Sequence, residues 1–229
     1  MNKLSVTTTS RERLWGIIYL ALQLLLLPTL LVLLNYLFDL QLTETKINFI
    51  FFAINFISVT VIFHRFILGN AVIAIKSLPF VIITAIGGYF LYCILSFVIT
   101  SVIMSVYPEF YNVNDSFIST LVADDFTLMI VGTVLLVPIT EEVLYRGLIF
   151  NSLYNRNRFL AYIVSTIAFA ALHVVSYIGA YSPLHLLLCM LEYLPAGICL
   201  AYAYARTNTI WTPILIHMIV NCIAVSAMK

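Results

Sequence analysis

Charge is what this 229-residue chain has least of: only 9% of its side chains are Asp, Glu, Lys or Arg, where soluble domains carry about a quarter. With 63% hydrophobic residues and a mean hydropathy of +1.08, too few polar groups exist to cover a water-exposed surface, which excludes an ordinary soluble domain. A formal net charge of +1 leaves no basic face for nucleic acid. Cysteine is scarce as well. Cys93, Cys189, Cys199 and Cys222 all lie inside apolar runs, which argues against a secreted disulfide framework; they read as small core residues and imply no cofactor. No internal repeat, low-complexity tract or Pro/Gly/Ser linker divides the chain, so residues 1–229 read as a single integral membrane domain.

What the chain has in abundance is long apolar runs. A helix needs about 20 residues to cross roughly 30 Å of hydrocarbon, and seven stretches qualify: Leu14 to Phe38, Ile47 to Phe63, Pro79 to Val106, Phe126 to Phe150, Phe159 to Tyr177, Pro183 to Tyr204 and Ile210 to Ala227. The expected fold is therefore all-α, a polytopic bundle of about seven transmembrane helices, with an eighth not excluded. The first run is too long for a signal-peptide core and reads as a retained anchor. Arg65 to Lys76 reads as an interfacial connector, and Tyr107 to Asp125 as an ordinary external loop. Lys3, Arg11, Arg13, Arg65, Lys76, Arg156, Arg158 and Arg206 fall on one side of this arrangement. The positive-inside rule then puts the N-terminus in the cytoplasm, in a multi-pass protein of, by its short form, a bacterial cell membrane.

Against this background three charges stand inside the fourth run, in Thr140-Glu141-Glu142-Val143-Leu144-Tyr145-Arg146. Each costs up to roughly 3 kcal/mol near a helix centre while each Leu, Ile, Val or Phe returns about 0.3 to 0.6, so this helix needs partners from its neighbours. An intramembrane ionisable group is by default a candidate functional site. Glu142 and Arg146 are four apart and pair on one face. Glu141 lies about 100° round the helix and keeps no local cation, so it needs a proton, a water, a metal or a distant donor. The alternative for the trio is a helix-end cluster snorkelling to the headgroups.

Two more apolar runs carry Phe169-Ala170-Ala171-Leu172-His173 and His217-Met218-Ile219-Val220-Asn221, the last pair again on one face. Counted along the helices, Glu141, His173, His217 and Asn221 can share one layer of the bilayer, which puts a site between the fourth, fifth and seventh spans. Each histidine alone could instead be a core residue bonded to a backbone carbonyl. Small residues support close helix approach: Ala161, Ser165, Ala168 and Ala171 on the fifth span, and Gly197, Ala201 and Ala205 on the sixth. Glu192, mid-way along the sixth, needs a partner or a proton. Asn35, Asn48 and Asn55 could bridge helices.

The ordered set Glu141-Glu142-x-x-x-Arg146, Phe169-x-x-x-His173 and His217-x-x-x-Asn221 resembles the CAAX-protease and bacteriocin-processing (CPBP, or Abi) family of intramembrane proteases. The likeness covers roughly residues 126–227, which would be the catalytic core. It implies hydrolysis of a peptide bond in a membrane-associated or lipidated peptide or protein, in bacteriocin processing or self-immunity. Carried onto this chain, it implies Glu141 as the base that activates water, His173 as a residue holding that water, His217 with Asn221 as stabilisers of the oxyanion, and Glu142 with Arg146 as residues orienting the helix. A divalent metal such as zinc is compatible with two His and one or two Glu, although no His-Glu-x-x-His helix is present. Two other classes stay open: a proton-coupled transporter, since buried Glu and His also form proton relays, and a non-catalytic immunity or scaffold protein of the same fold.

Overall fold

The computed structural model describes residues 3–229, and among these the chain forms ten helices and no sheet. They are α1 (Ser10–Leu25), α2 (Leu27–Leu37), α3 (Glu44–Ile62), α4 (His64–Lys76), α5 (Leu78–Val106), α6 (Val113–Asp124), α7 (Phe126–Tyr154), α8 (Arg158–Val175), α9 (Pro183–Thr207) and α10 (Trp211–Ala227). The architecture is the all-α polytopic bundle expected. Five helices (α3, α5, α7, α8 and α9) are long and apolar enough to cross a membrane, α1 and α2 form a bent pair that would make a sixth, and α10 has 17 residues. Large apolar side chains stay outside the bundle, among them Phe97 at 74% and Ile94 at 61% exposure on α5. In a bilayer such a surface faces acyl chains.

Two expectations are corrected. The first apolar run is not one continuous anchor: α1 and α2 meet at an angle of 49°. Pro28, in the first turn of α2, has no N–H to give and its ring clashes with the carbonyl four residues back, so the helix cannot run straight through Leu26. Nor is Tyr107 to Asp125 an ordinary loop, because twelve of its residues form α6. Asn112 starts that helix by accepting from the N–H groups of Asn114 (3.1 Å) and Asp115 (3.3 Å), which satisfies donors a helix start leaves open. The connector after α3 is itself helical, with Phe66, Asn70 and Ala74 buried on one face and Leu68, Val72 and Ile75 exposed on the other.

At the centre of the bundle is α7. Its second half, Val143 to Leu148 with Phe150, is buried all round, as a central helix must be. Wide π-type turns occupy Gly132–Leu136 and Val143–Phe150, on either side of the segment that carries Glu141 and Glu142. Pro138 explains the first: it removes the bond its N–H would give to Val134, and a widened turn makes room for its ring. The N-terminal segment closes one end of the bundle, where Leu4 N–H donates to Asn155, Ser5 N–H to Asn208, and Asn151 donates to the Val6 carbonyl.

Four of the seven small residues are buried, and Gly197 packs against Thr166 where α8 and α9 cross. The four are Ala161, Ser165, Gly197 and Ala201, and Ser165 donates to the Tyr145 carbonyl at 2.9 Å, which ties α8 to α7. A methyl added at Gly197 would lie 2.6 Å from Thr166 Cγ2 and 3.1 Å from its Cα. Gly197→Ala is therefore expected to destabilise the protein by about 1–3 kcal/mol through overpacking, read by thermal denaturation in detergent. Adding Thr166→Ala should recover part of the loss; a single variant as stable as the parent would refute this packing account.

Candidate active site

Helix α7 fixes the first part of the site. Glu142 Oε1 accepts from Arg146 Nη1 at 2.9 Å, and neither side chain has any exposed surface. The i, i+4 pair is therefore present, but it is not self-sufficient. Arg146 Nη2 reaches across to the carbonyl of Gly197 on α9 (3.1 Å), and the guanidinium lies 4.3 Å from the centre of the Phe169 ring on α8. The absence of a side chain at Gly197 lets this part of α9 lie against Thr166 of α8. One arginine thus joins three helices, with a hydrogen bond and a cation–π contact replacing the water it has lost.

The same carboxylate oxygen also binds α10. His217 Nδ1 is 2.9 Å from Glu142 Oε1. A carboxylate that already accepts from arginine can only accept again, so Nδ1 carries the proton and Nε2 turns the other way. There it lies 4.0 Å from Glu141 Oε2. Glu142 and Arg146 therefore orient a histidine, a more specific task than orienting their own helix; second-layer carboxylates commonly fix a tautomer in this way. Among the described residues Glu141 Oε2 has no hydrogen-bond partner, although the atom is buried.

The third member, His173, is near the end of α8. Its Nδ1 donates to the Phe169 carbonyl four residues back at 2.9 Å, which leaves Nε2 as the nitrogen with the lone pair. Asn221, one turn beyond His217, donates through Nδ2 to the Thr133 carbonyl at 2.8 Å, inside the first widened stretch of α7. One of its amide hydrogens is thereby committed and the other is not.

Glu141, His173, His217 and Asn221 all line one cavity of about 250 Å³, bounded further by Gln23, Phe52, Asn55, Thr140 and Val225. A second hollow of about 70 Å³ meets His173, His217 and Asn221 from the side of Tyr92, Cys199 and Leu200. The six residues singled out in the sequence divide accordingly: four face the cavity, while Glu142 and Arg146 are buried behind them. Among the described residues no three His, Cys, Asp or Glu side chains converge in a way that could hold an ion.

Sequence reasoning missed the rim. Asn114 and Asp115 of α6 and Tyr193 of α9 also line the cavity. The signal for Tyr193 was its neighbour Glu192, which accepts from Thr100 (2.8 Å) and from Asn112 (2.9 Å), so that its carboxylate ties α5 and α9 to the start of α6. Of the three asparagines proposed to bridge helices, Asn55 does so, accepting from the Tyr19 hydroxyl at 2.7 Å, while Asn35 and Asn48 bond locally.

Residues 123–223 match the family described as type II CAAX prenyl endopeptidase Rce1-like. The matched segment contains the motif residues on α7, α8 and α10 whose geometry is given above. A curated relative, named "Putative membrane peptidase YdiL", from Bacillus subtilis (strain 168), is 36% identical over 99 residues, which are 43% of this chain and 36% of the relative's length. The chain thus spans well under half of that relative. No solved structure matches significantly.

Proposed function

We propose that this Rce1-like chain is an intramembrane endopeptidase, with residues 126–227 as its catalytic core and Glu141 as the base that activates water. The observation that carries the proposal is a single one: Glu141, whose Oε2 is buried without a hydrogen-bond partner among the described residues, lines a cavity that two imidazoles and an amide also line. A carboxylate whose lone pairs are not already spent on protein donors makes an effective general base when a water can reach it.

In the reaction so assigned, Glu141 takes a proton from water while His173 Nε2 accepts the water's other hydrogen and fixes its position. The oxygen attacks the carbonyl carbon of the scissile bond. The developing oxyanion is met by the free amide hydrogen of Asn221, in surroundings where a donor aimed at the charge contributes about 2.7–4 kcal/mol, and His217 adds a second donor there only as the imidazolium, with Nε2–H toward the charge and Nδ1–H on Glu142. The C–N bond then breaks as Glu141 passes its proton to the leaving amine. Water has been divided between the two products, and no other reactant is consumed. Glu142, itself held by Arg146, fixes His217 through its Nδ1–H and so turns Nε2 toward the site.

The substrate class that suits a site buried among spans is a membrane-associated or lipidated peptide, and we set the activity in a bacterial cell membrane with a cytoplasmic N-terminus, in bacteriocin processing or self-immunity. The test is direct. Purified protein in lipid nanodiscs is incubated with prenylated and unmodified peptides in oxygen-18 water, and products are read by mass spectrometry. Internal cleavage with one solvent oxygen in the new carboxylate is expected. Failure to cut any membrane-bound peptide, together with proton-driven solute uptake in proteoliposomes, would overturn the reading in favour of a transporter.

A further inference from the structure

A ring stack sets the plane of His173. The Tyr193 ring lies parallel to the imidazole, with centroids 4.0 Å apart and planes 20° apart, and Phe169 flanks the histidine at 4.9 Å. A hydrogen bond from Nδ1 to a carbonyl holds one point of the ring but leaves it able to swing about that point. The stacked Tyr193 face, with the tilted Phe169 ring beside it, removes this freedom. Tyr193 is in turn held at its hydroxyl, which donates to Asp115 Oδ1 (2.9 Å) and accepts from Asn114 Nδ2 at 3.1 Å, with Asn112 Oδ1 at 3.2 Å. All three partners come from the first turn of α6 or the residue that caps it. Glu192, next to Tyr193, holds Asn112 from the other side. A chain of contacts therefore runs from a helix outside the spans, through one phenol, to the imidazole.

We infer that Tyr193, whose hydroxyl is held by Asn114 and Asp115, is a positioning residue that sets the plane of His173 through its ring. The inference rests on the hydrolase reading above. A misplacement of about 1 Å in a group that orients a reactant can cost on the order of 100-fold in rate. A stack supports only the ring's plane, so the loss should fall in kcat and not in KM.

The experiment compares Tyr193→Phe, Tyr193→Leu, Asp115→Ala and the Tyr193→Phe/Asp115→Ala double variant in the full-length protein. Tyr193→Leu removes the stack and is expected to lower kcat about 10- to 100-fold with KM within about twofold. Tyr193→Phe keeps the ring and should retain most of the rate. Asp115→Ala should match Tyr193→Phe, and the two losses should not add, because both release the same tether. A readout independent of activity accompanies these: the ring signals of the four histidines by NMR, where Tyr193→Leu should remove a ring-current shift from His173 alone. Wild-type kcat in Tyr193→Leu, a loss confined to KM, equal damage in the Phe and Leu variants, or unmoved His173 signals would each overturn the positioning role. Glu141→Gln is run beside them. If it cleaves like the parent, the hydrolase reading itself fails and the positioning role falls with it, whereas an inactive Glu141→Gln beside a fully active Tyr193→Leu refutes the stack alone.

Discussion

Glu141→Gln is expected to lower kcat for peptide cleavage by about 10³-fold, within the 10²–10⁴ range that general-base catalysis contributes, while leaving the protein folded and inserted. Glutamine has nearly the same shape but cannot take a proton from water. Stability should hardly change, because Oε2 makes no hydrogen bond among the described residues and the side chain is 15% exposed to the cavity. The substitution also relieves repulsion from Glu142 on the next residue. KM should stay within about threefold, since the interaction lost is one made with the attacking water in the transition state. The measurement is steady-state cleavage of a peptide that the wild type cuts, with thermal unfolding run in parallel on the same preparations. Cleavage within about tenfold of wild type would remove Glu141 from the role of base. The contrast with Glu142 sharpens the test, because Glu142→Gln acts only through His217 and Arg146.

How much of this could be read beforehand depends on distance along the chain. The Glu142–Arg146 pair follows from helical spacing alone, and so does the shared face of His217 and Asn221. The bond from His217 to Glu142 spans 75 residues; no periodicity encodes it, and the sequence suggested only that the two could lie at one depth. Hydropathy found each apolar run but not the bend at Leu26, because a run of leucines stays apolar on both sides of Pro28. The largest gap was α6. Its apolar residues Val113, Phe117, Ile118, Leu121 and Val122 do recur at helical spacing, but the stretch is too short and polar to span a bilayer and read as solvent-facing loop, whereas Asn112, Asn114 and Asp115 point back at Tyr193 and Glu192. Polar residues outside the spans carried no cost in hydrocarbon, and so no signal that they had partners inside it.

Arg146→Met is the other substitution expected to have a large effect, and it acts on the fold first. The guanidinium has no exposed surface and compensates Glu142, holds the Gly197 carbonyl and covers the Phe169 ring. Removing it leaves a buried carboxylate with His217 as the one remaining donor among the described residues. Breaking one partner out of a buried ion pair costs about 3–5 kcal/mol, because the remaining charge is uncompensated. Against total stabilities of about 5–15 kcal/mol, that loss should emerge as a steep fall in melting temperature and in the yield of folded protein. Low yield alone would not distinguish charge from shape, and the double variant Glu142→Gln/Arg146→Met does so. It removes both charges at once while the new side-chain amide still offers an oxygen to His217 Nδ1, so it should be more stable than Arg146→Met by at least about 1 kcal/mol. Arg146→Lys keeps the charge but not the two-pronged reach to Glu142 and Gly197, and should fall between. If Arg146→Met melts like the wild type, or if the double variant is no better than the single, the ion pair does not hold α7 against α8, α9 and α10. The orientation of His217 would then need another source.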